Sequence, residues 1–278
     1  MMADAAVSVI EIRAGRRRVL ADLREGWRYR ELFSFLIWRD IKVRYKQTAL
    51  GAGWAILQPL LTMIVFSLFF GKLAGVPSDG VPYPLFALAG LVPWTFFAQG
   101  LAQSSNSLVA SQTLVTKVYF PRLLVPSAVV LAGLADLLVA SLVLVVMMWW
   151  YGVVPGLAAI AVPGFVALAV VASLGVGLWL SALNVRYRDV RYVVPFLTQM
   201  WLFATPIAYP TSLLESPWNF VFALNPLVPV VEGFRWALLG THPPILAMTA
   251  AGSVSALLML VTGALYFRHT ERSFADII

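Results

Sequence analysis

Near-continuous apolar runs, separated by short polar and basic stretches, dominate the chain. They cover 50–70, 83–102, 123–151, 157–183, 192–209 and 245–267. A helix needs about 20 apolar residues to cross about 30 Å of hydrocarbon, and inside lipid only helices or closed barrels satisfy the backbone. The runs do not alternate as barrel strands would, so they predict an all-α polytopic membrane protein with six transmembrane helices. The third run is long enough to tilt; the fifth is short. Between Pro210 and Pro244 lie two further apolar pieces, Trp218 to Leu224 and Leu227 to Leu239, broken by Pro217, Pro226 and Pro229. Each is too short to span, which predicts external re-entrant helices before the last span; the alternative is a loop lying on the bilayer surface. Glu232 and Arg235 stand i,i+3 on the second piece and can neutralise each other on one helix face.

Charge orients this pattern. Of the twenty Lys and Arg residues, eleven precede the first run, from Arg13 to Lys46. Lys117 and Arg122 follow the second run, Arg186, Arg188 and Arg191 follow the fourth, and Arg268 and Arg272 follow the sixth. Only Lys72 and Arg235 fall on the opposite side. Such asymmetry predicts both termini in the cytoplasm: a cytoplasmic region at 1–49, a membrane domain at 50–267 and a cytoplasmic tail at 268–278. No signal peptide is expected in Met1 to Leu50. With 60% hydrophobic and 12% charged residues and a mean hydropathy of +0.84, lipid is the expected solvent. The net charge of +7 then belongs to a membrane face rather than to nucleic acid.

The chain contains no cysteine and two histidines, too few for a thiolate or histidine metal cluster. It has no G-x-x-x-x-G-K-[ST] phosphate loop and no evident catalytic triad, so no enzymatic activity and no cofactor is expected in it. Asp136 stands alone within the third run. An intramembrane acid is a functional candidate by default, which raises a proton-coupled carrier as one reading; a hydrogen bond to a neighbouring helix is the other. Small residues recur every four positions in the fourth run, at Ala169, Ser173, Gly177 and Ser181, and admit another helix closely. Trp149, Trp150, Tyr209 and Trp218 gather at one end, as an interfacial belt or as a wall on which sugars stack.

On the basic side, Val19 to Ile41 reads as an N-terminal interfacial amphipathic helix. Leu20, Leu23, Trp27, Leu32, Phe33, Leu36 and Ile37 form its apolar side; Arg24, Arg28, Arg30 and Arg39 form its cationic side. It anchors to anionic lipid or also frames a docking surface. A short helix from Ser107 to Tyr119, stopped before Pro121, would present Leu108, Leu114, Val115, Val118 and Tyr119, with Lys117 beside them, to a partner groove.

The motifs together carry a resemblance. They are Trp38-Arg-Asp-Ile-Lys-Val-Arg-Tyr-Lys-Gln-Thr-Ala-Leu-Gly51, Leu57-Gln-Pro-Leu60, Tyr83-Pro-Leu-Phe86, Gly90-Leu-Val-Pro-Trp94, Ser105-Asn-Ser-Leu-Val109, Lys117-Val-Tyr-Phe-Pro-Arg-Leu123, Leu180-Ser-Ala-Leu-Asn-Val-Arg-Tyr-Arg-Asp-Val-Arg-Tyr192, Asn225-Pro226 and Glu232-Gly-Phe-Arg-Trp-Ala-Leu-Leu-Gly240. The chain resembles the permease subunits of type-2 ABC exporters for surface polysaccharides such as O-antigen, capsule and teichoic acid. The resemblance implies a homodimer of six-span subunits in the cytoplasmic membrane, with ATP and magnesium bound by a separate ATPase subunit. It implies that the Ser107 to Tyr119 helix is a coupling helix docking that ATPase, and that a lipid-linked glycan passes along the dimer interface. The re-entrant segment with Glu232, Arg235 and Trp236 would be the external gate. Arg39, Lys42, Arg44 and Lys46 are candidates to attract the anionic lipid head at the entrance. Export of a small molecule or lipid is the alternative cargo.

Overall fold

The computed structural model describes residues 28–46, 51–214, 218–271 and 274, and every regular element among them is helical. The expected apolar positions Leu20, Leu23 and Trp27, the basic residues from Arg13 to Arg24, Arg272 and Pro217 lie outside the described residues. Helix α1 (Arg30–Lys46) leads to α2 (Gly51–Phe66), which continues as one π-helical segment, Ser67–Leu73. Then come α3 (Tyr83–Ala110), a short α4 (Gln112–Lys117), α5 (Leu124–Ala132) and α6 (Leu134–Trp150). A 3-10 turn, Leu157–Ala161, feeds α7 (Val162–Arg186), followed by α8 (Val190–Phe203), α9 (Trp218–Ala223), α10 (Leu227–Leu239) and α11 (Leu246–Glu271).

Five stretches are long and apolar enough to cross a membrane: Gly53–Leu73, Tyr83–Ala110, Leu124–Trp150, Leu157–Arg186 and Leu246–Glu271. The run at 192–209 is not among them. It forms only the 14-residue α8 and then unwinds at Ala204. Three other helices differ from their expected limits. The 123–151 run is interrupted by a turn at Gly133, where a Cβ would lie 3.1 Å from the Val130 carbonyl oxygen and 3.4 Å from the Phe96 ring. The helix expected over Ser107 to Tyr119 is divided, because α3 continues to Ala110 and Ser111 leaves the helical region at φ −102°, ψ 24°. The N-terminal helix, where described, runs past Ile41 to Lys46.

The chain alternates direction, so the bundle has two ends. One carries Tyr83, Trp150 and Tyr209; the other carries Lys117, Arg122, Arg186 and Glu271. Helix α3 is the axis: 78% of its apolar window is buried, against 17–28% for the other four candidates. The rest of the bundle's apolar surface faces outward, as expected where lipid rather than water is the solvent.

Helix α7 bridges α3 and α11 through two faces of small residues. Ala169, Ser173, Gly177 and Ser181, the stripe visible in the sequence, are buried against α3; a Cβ on Gly177 would lie 2.7 Å from Ser104 Oγ. The second face is closer still. A Cβ on Gly263 of α11 would lie 2.4 Å from the Gly175 carbonyl oxygen, and one on Gly175 would lie 2.6 Å from the Leu260 backbone nitrogen. The two backbones touch, which is how helices associate where no hydrophobic driving force separates lipid from side chain. A stacked Trp179–Tyr266 pair, 4.3 Å between centroids, and a bond from Trp179 Nε1 to Thr262 Oγ1 flank that crossing.

A second, smaller apolar core closes the basic end. Leu36 of α1, Leu108 of α3, Val115 of α4, Phe120, Leu124, Val125, Phe267 and Phe274 meet there. Helix α1 therefore has two apolar sides: Leu36 is 1% exposed inside this core, whereas Phe35 and Trp38 are 62% and 56% exposed on the other side.

Because the α7–α11 crossing leaves no room for a side chain, Gly263→Leu should separate the helices. Overpacking of this kind costs about 1–3 kcal/mol. Thermal unfolding in detergent should show a lowered transition for Gly263→Leu and an unchanged one for Leu265→Ala, whose side chain is exposed.

Candidate functional site

Three clusters carry the polar chemistry of the bundle. The first sits where the chain breaks after α8. Arg235 of α10 has no exposed surface, and its guanidinium lies 3.5 Å from the centroid of the Phe86 ring. Nη1 donates to Glu232 Oε1 at 3.0 Å and to the Pro206 carbonyl at 2.6 Å; Nη2 donates to the Ile207 carbonyl at 2.7 Å and Nε to the Phe86 carbonyl at 3.2 Å. The i,i+3 pair expected from the sequence is thus present, but most of the guanidinium's bonds go to main-chain carbonyls. Arg is suited to this because its rigid fork presents five donors. Gly90 makes space for it: a Cβ there would lie 2.9 Å from Nη2.

Asn225 does the same one step away. Its amide nitrogen donates to the Ala204 carbonyl and to Thr205 Oγ1, both at 3.0 Å. Its amide oxygen accepts from Trp201 Nε1 at 3.1 Å and from the Leu227 backbone N–H at 3.0 Å. All four of its hydrogen-bonding positions are used. Tyr83 completes the set by donating to the Ala208 carbonyl at 2.7 Å. Sequence reading left Asn225 as a motif residue without a chemistry; the Asn-Pro step between two short apolar pieces was its only local signal. Trp236 is half-buried. Tyr209 donates to the Phe203 carbonyl at 3.1 Å and meets Phe222 edge-on. Trp149, Trp150 and Trp218 are largely exposed.

The second cluster lies at the basic end, in a cleft of about 640 Å³ between α1 and the last turns of α3. Arg39, Asp40 and Arg44 face Gln103, Asn106 and Ser107 across it. Arg39 pairs with Asp40 at 2.8 Å. Arg44 forms an ion pair with Asp136 and donates to Gln103, and the Tyr45 hydroxyl donates to the other Asp136 oxygen. Burial, and then the bond to Asp136, push the Tyr45 phenol up to about 12, so it remains a donor across the physiological range. Of the four cations proposed for one entrance, the structure brings Arg39 and Arg44 together at the cleft. Lys42 lies over the Trp38 ring at 5.2 Å, and Lys46 is exposed elsewhere.

The partner of Asp136 was not legible locally, since 92 residues separate it from Arg44. Its direction was. Asp136, Ala140, Leu144 and Met148 recur at four-residue spacing and all are buried, so the acid lies on the stripe of α6 that faces protein.

The third cluster is the segment from Ser111 to Arg122. Leu108 and Val115, expected on a docking face, are 0% and 3% exposed because they pack into the second core; Leu114 is half-buried against it. Val118 and Tyr119 are 49% and 56% exposed, with Thr113, Thr116 and Lys117 open beside them. The accessible face is therefore the later half of the expected one. Among the described residues, no three His, Cys, Asp or Glu side chains converge on a possible metal site.

The family model described as ABC-2 type transporter matches residues 31–239. The chain belongs to the ABC-2 type transporter family. It is 31% identical over 261 residues to an O-antigen export system permease protein, RfbA, of Myxococcus xanthus, covering 92% of this chain and 98% of that one. It is 29% identical over 247 residues to the RfbA permease of Klebsiella pneumoniae, covering 86% and 92%. It is 27% identical over 210 residues to the polysialic acid transport protein KpsM of Escherichia coli, covering 73% and 80%. The matched span of the ABC-2 family includes all three clusters, from Arg39 to Arg235.

Removing the Arg235 side chain would strand a buried carboxylate and three carbonyls. Breaking a buried pair in this way costs about 3–5 kcal/mol. Arg235→Ala should therefore fall well below Arg235→Lys in thermal stability, and Arg235→Ala with Glu232→Gln should recover part of the loss.

Proposed function

We propose that the chain is the permease subunit of an ATP-driven exporter that moves a lipid-linked polysaccharide across the cytoplasmic membrane. It works as a homodimer with a separate ATPase subunit. The observation that carries the reading is the similarity over 98% of the length of a permease named for O-antigen export. KpsM, named for polysialic acid transport, supports a polymeric glycan over a small molecule.

In this reading the basic end is cytoplasmic and there are six crossings, the sixth being α8 with the unwound stretch that follows it. Backbone that is neither helix nor barrel is tolerated at membrane depth only when buried in protein. The bonds from Arg235, Asn225 and Tyr83 to the carbonyls of residues 204 and 206–208 meet that condition. Helices α9 and α10 form the re-entrant pair at the external face, with Glu232, Arg235 and Trp236 as a fixed brace beside the exit.

Two surfaces support the mechanism. The exposed Thr113, Thr116, Lys117, Val118 and Tyr119 face projects from the cytoplasmic end and is offered to the ATPase. The cleft at Arg39 and Arg44 accepts the anionic head of the carrier lipid through charge-assisted bonds. ATP binding can drive transport only if the ATPase contacts this face differently in its two states. Helix α8 leaves Tyr192, Val193, Phe196, Met200 and Phe203 exposed; this face is offered to the second copy, whose matching α8 would complete the path for the glycan.

Deletion of the gene should leave undecorated lipid-linked polymer trapped inside the cell, and the unaltered chain should restore export; normal surface glycan in the deletion strain overturns the reading. Val118→Asp with Tyr119→Asp should reduce co-purification of the ATPase by about tenfold or more. Arg39→Glu should leave the complex assembled but lower export several-fold.

A further inference from the structure

The sequence links the segment from Ser111 to Arg122 to α3 on one side and α5 on the other. The structure adds a third attachment, made by the far end of the chain. The Arg122 backbone N–H donates to Glu271 Oε1 at 3.0 Å, and Arg122 Nη1 donates to the Glu271 carbonyl oxygen at 2.5 Å. Both bonds run from Arg122 to Glu271, one from backbone to side chain and the other from side chain to backbone, so the two residues are joined reciprocally. Glu271 lies in the last described turn of α11, at the basic end of the bundle, and its carbonyl oxygen accepts from the guanidinium. Arg122 lies just before α5, where the helix end is partially positive, and the Glu271 carboxylate accepts its backbone N–H.

Apolar packing reinforces this clasp. Phe120, two residues before Arg122, is 5% exposed, and Phe274, three residues after Glu271, is 1% exposed. Both belong to the core that also holds Val115 of α4 and Leu36 of α1. Phe267 and Phe274 meet edge-on, 5.3 Å between centroids. From there α11 lies in backbone contact with α7 at Gly175 and Gly263.

We infer that Glu271 is a positioning residue of the coupling apparatus, clasping the segment that bears Val118 and Tyr119 to the last helix, so that movement of that segment reaches α11 and α7 directly. The inference rests on the reading of this segment as the ATPase-docking face. Neither Glu271 nor Phe274 lies on that face, so their loss should disturb transmission rather than docking.

The test uses the full chain with its ATPase partner, purified and reconstituted in vesicles, with polymer exported per ATP hydrolysed as the readout. Glu271→Ala should give an assembled complex in which that ratio falls about fivefold or more. Glu271→Gln keeps an acceptor for the Arg122 N–H and should restore most of the ratio. Phe274→Ala, a milder change, should lower it in the same direction and serves as the readout should Glu271→Ala fail to fold. An unchanged ratio in Glu271→Ala, or in Phe274→Ala where the first variant does not fold, overturns the inference. So does an equal loss in Glu271→Ala and Glu271→Gln. If the ATPase does not co-purify with the unaltered chain, the docking reading and this inference fall together; if it does and the ratio is unchanged, only this inference falls.

Discussion

The arrangement of the whole bundle depends on satisfying a few main-chain carbonyls without water. Helix α8 stops after 14 residues, and the carbonyls of residues 204 and 206–208 need donors in an apolar setting. One fully buried arginine, one asparagine and one tyrosine supply them. The guanidinium carries its charge into the interior only because Glu232 lies 3.0 Å away and the Phe86 ring stacks on it. In this way one side chain of α10 holds both α3 and the unwound stretch that follows α8. A buried ion pair is poor evidence for stability by itself. Here the interaction earns its place through the carbonyls, which no apolar replacement could serve.

A different constraint governs the opposite side of α3. Between helices in lipid, association depends on close van der Waals contact rather than on exclusion of water. Helix α7 meets it twice, with Ser173 and Gly177 toward α3 and Gly175 toward Gly263 of α11. The bundle is thus most closely packed along the α3–α7–α11 line. Large apolar residues are exposed on α2 and α8, among them Trp54, Leu57, Tyr192, Phe196 and Met200, and also on α6 and α11, as at Leu138, Leu142 and Leu258.

At the basic end the mode changes again. A compact apolar core gathers parts of α1, α3, α4, α5, α7 and α11, while Arg44, Tyr45 and Asp136 tie α1 to the turn between α5 and α6. The acid that suggested proton coupling is engaged in an ion pair, and membership of the ABC-2 family gives the transporter an energy source other than the proton. The clasp between Arg122 and Glu271 belongs to the same set of connections.

Much of this was legible in one dimension because it follows from local period and composition. Runs of apolar residues set the positions of five long helices. The i,i+3 spacing put Glu232 beside Arg235, the four-residue stripe from Ala169 to Ser181 marked a packed helix face, and the concentration of Lys and Arg at alternate ends predicted an orientation. Tertiary structure alone decided the rest. It chose Arg44 as the partner of Asp136, turned Leu108 and Val115 inward while leaving Val118 and Tyr119 exposed, unwound the chain after Phe203, and brought Glu271 to Arg122. Each of these outcomes joins groups far apart in sequence. A side chain's neighbours across such distances depend on how helices cross and bend, whereas hydropathy reports only whether a segment prefers lipid to water.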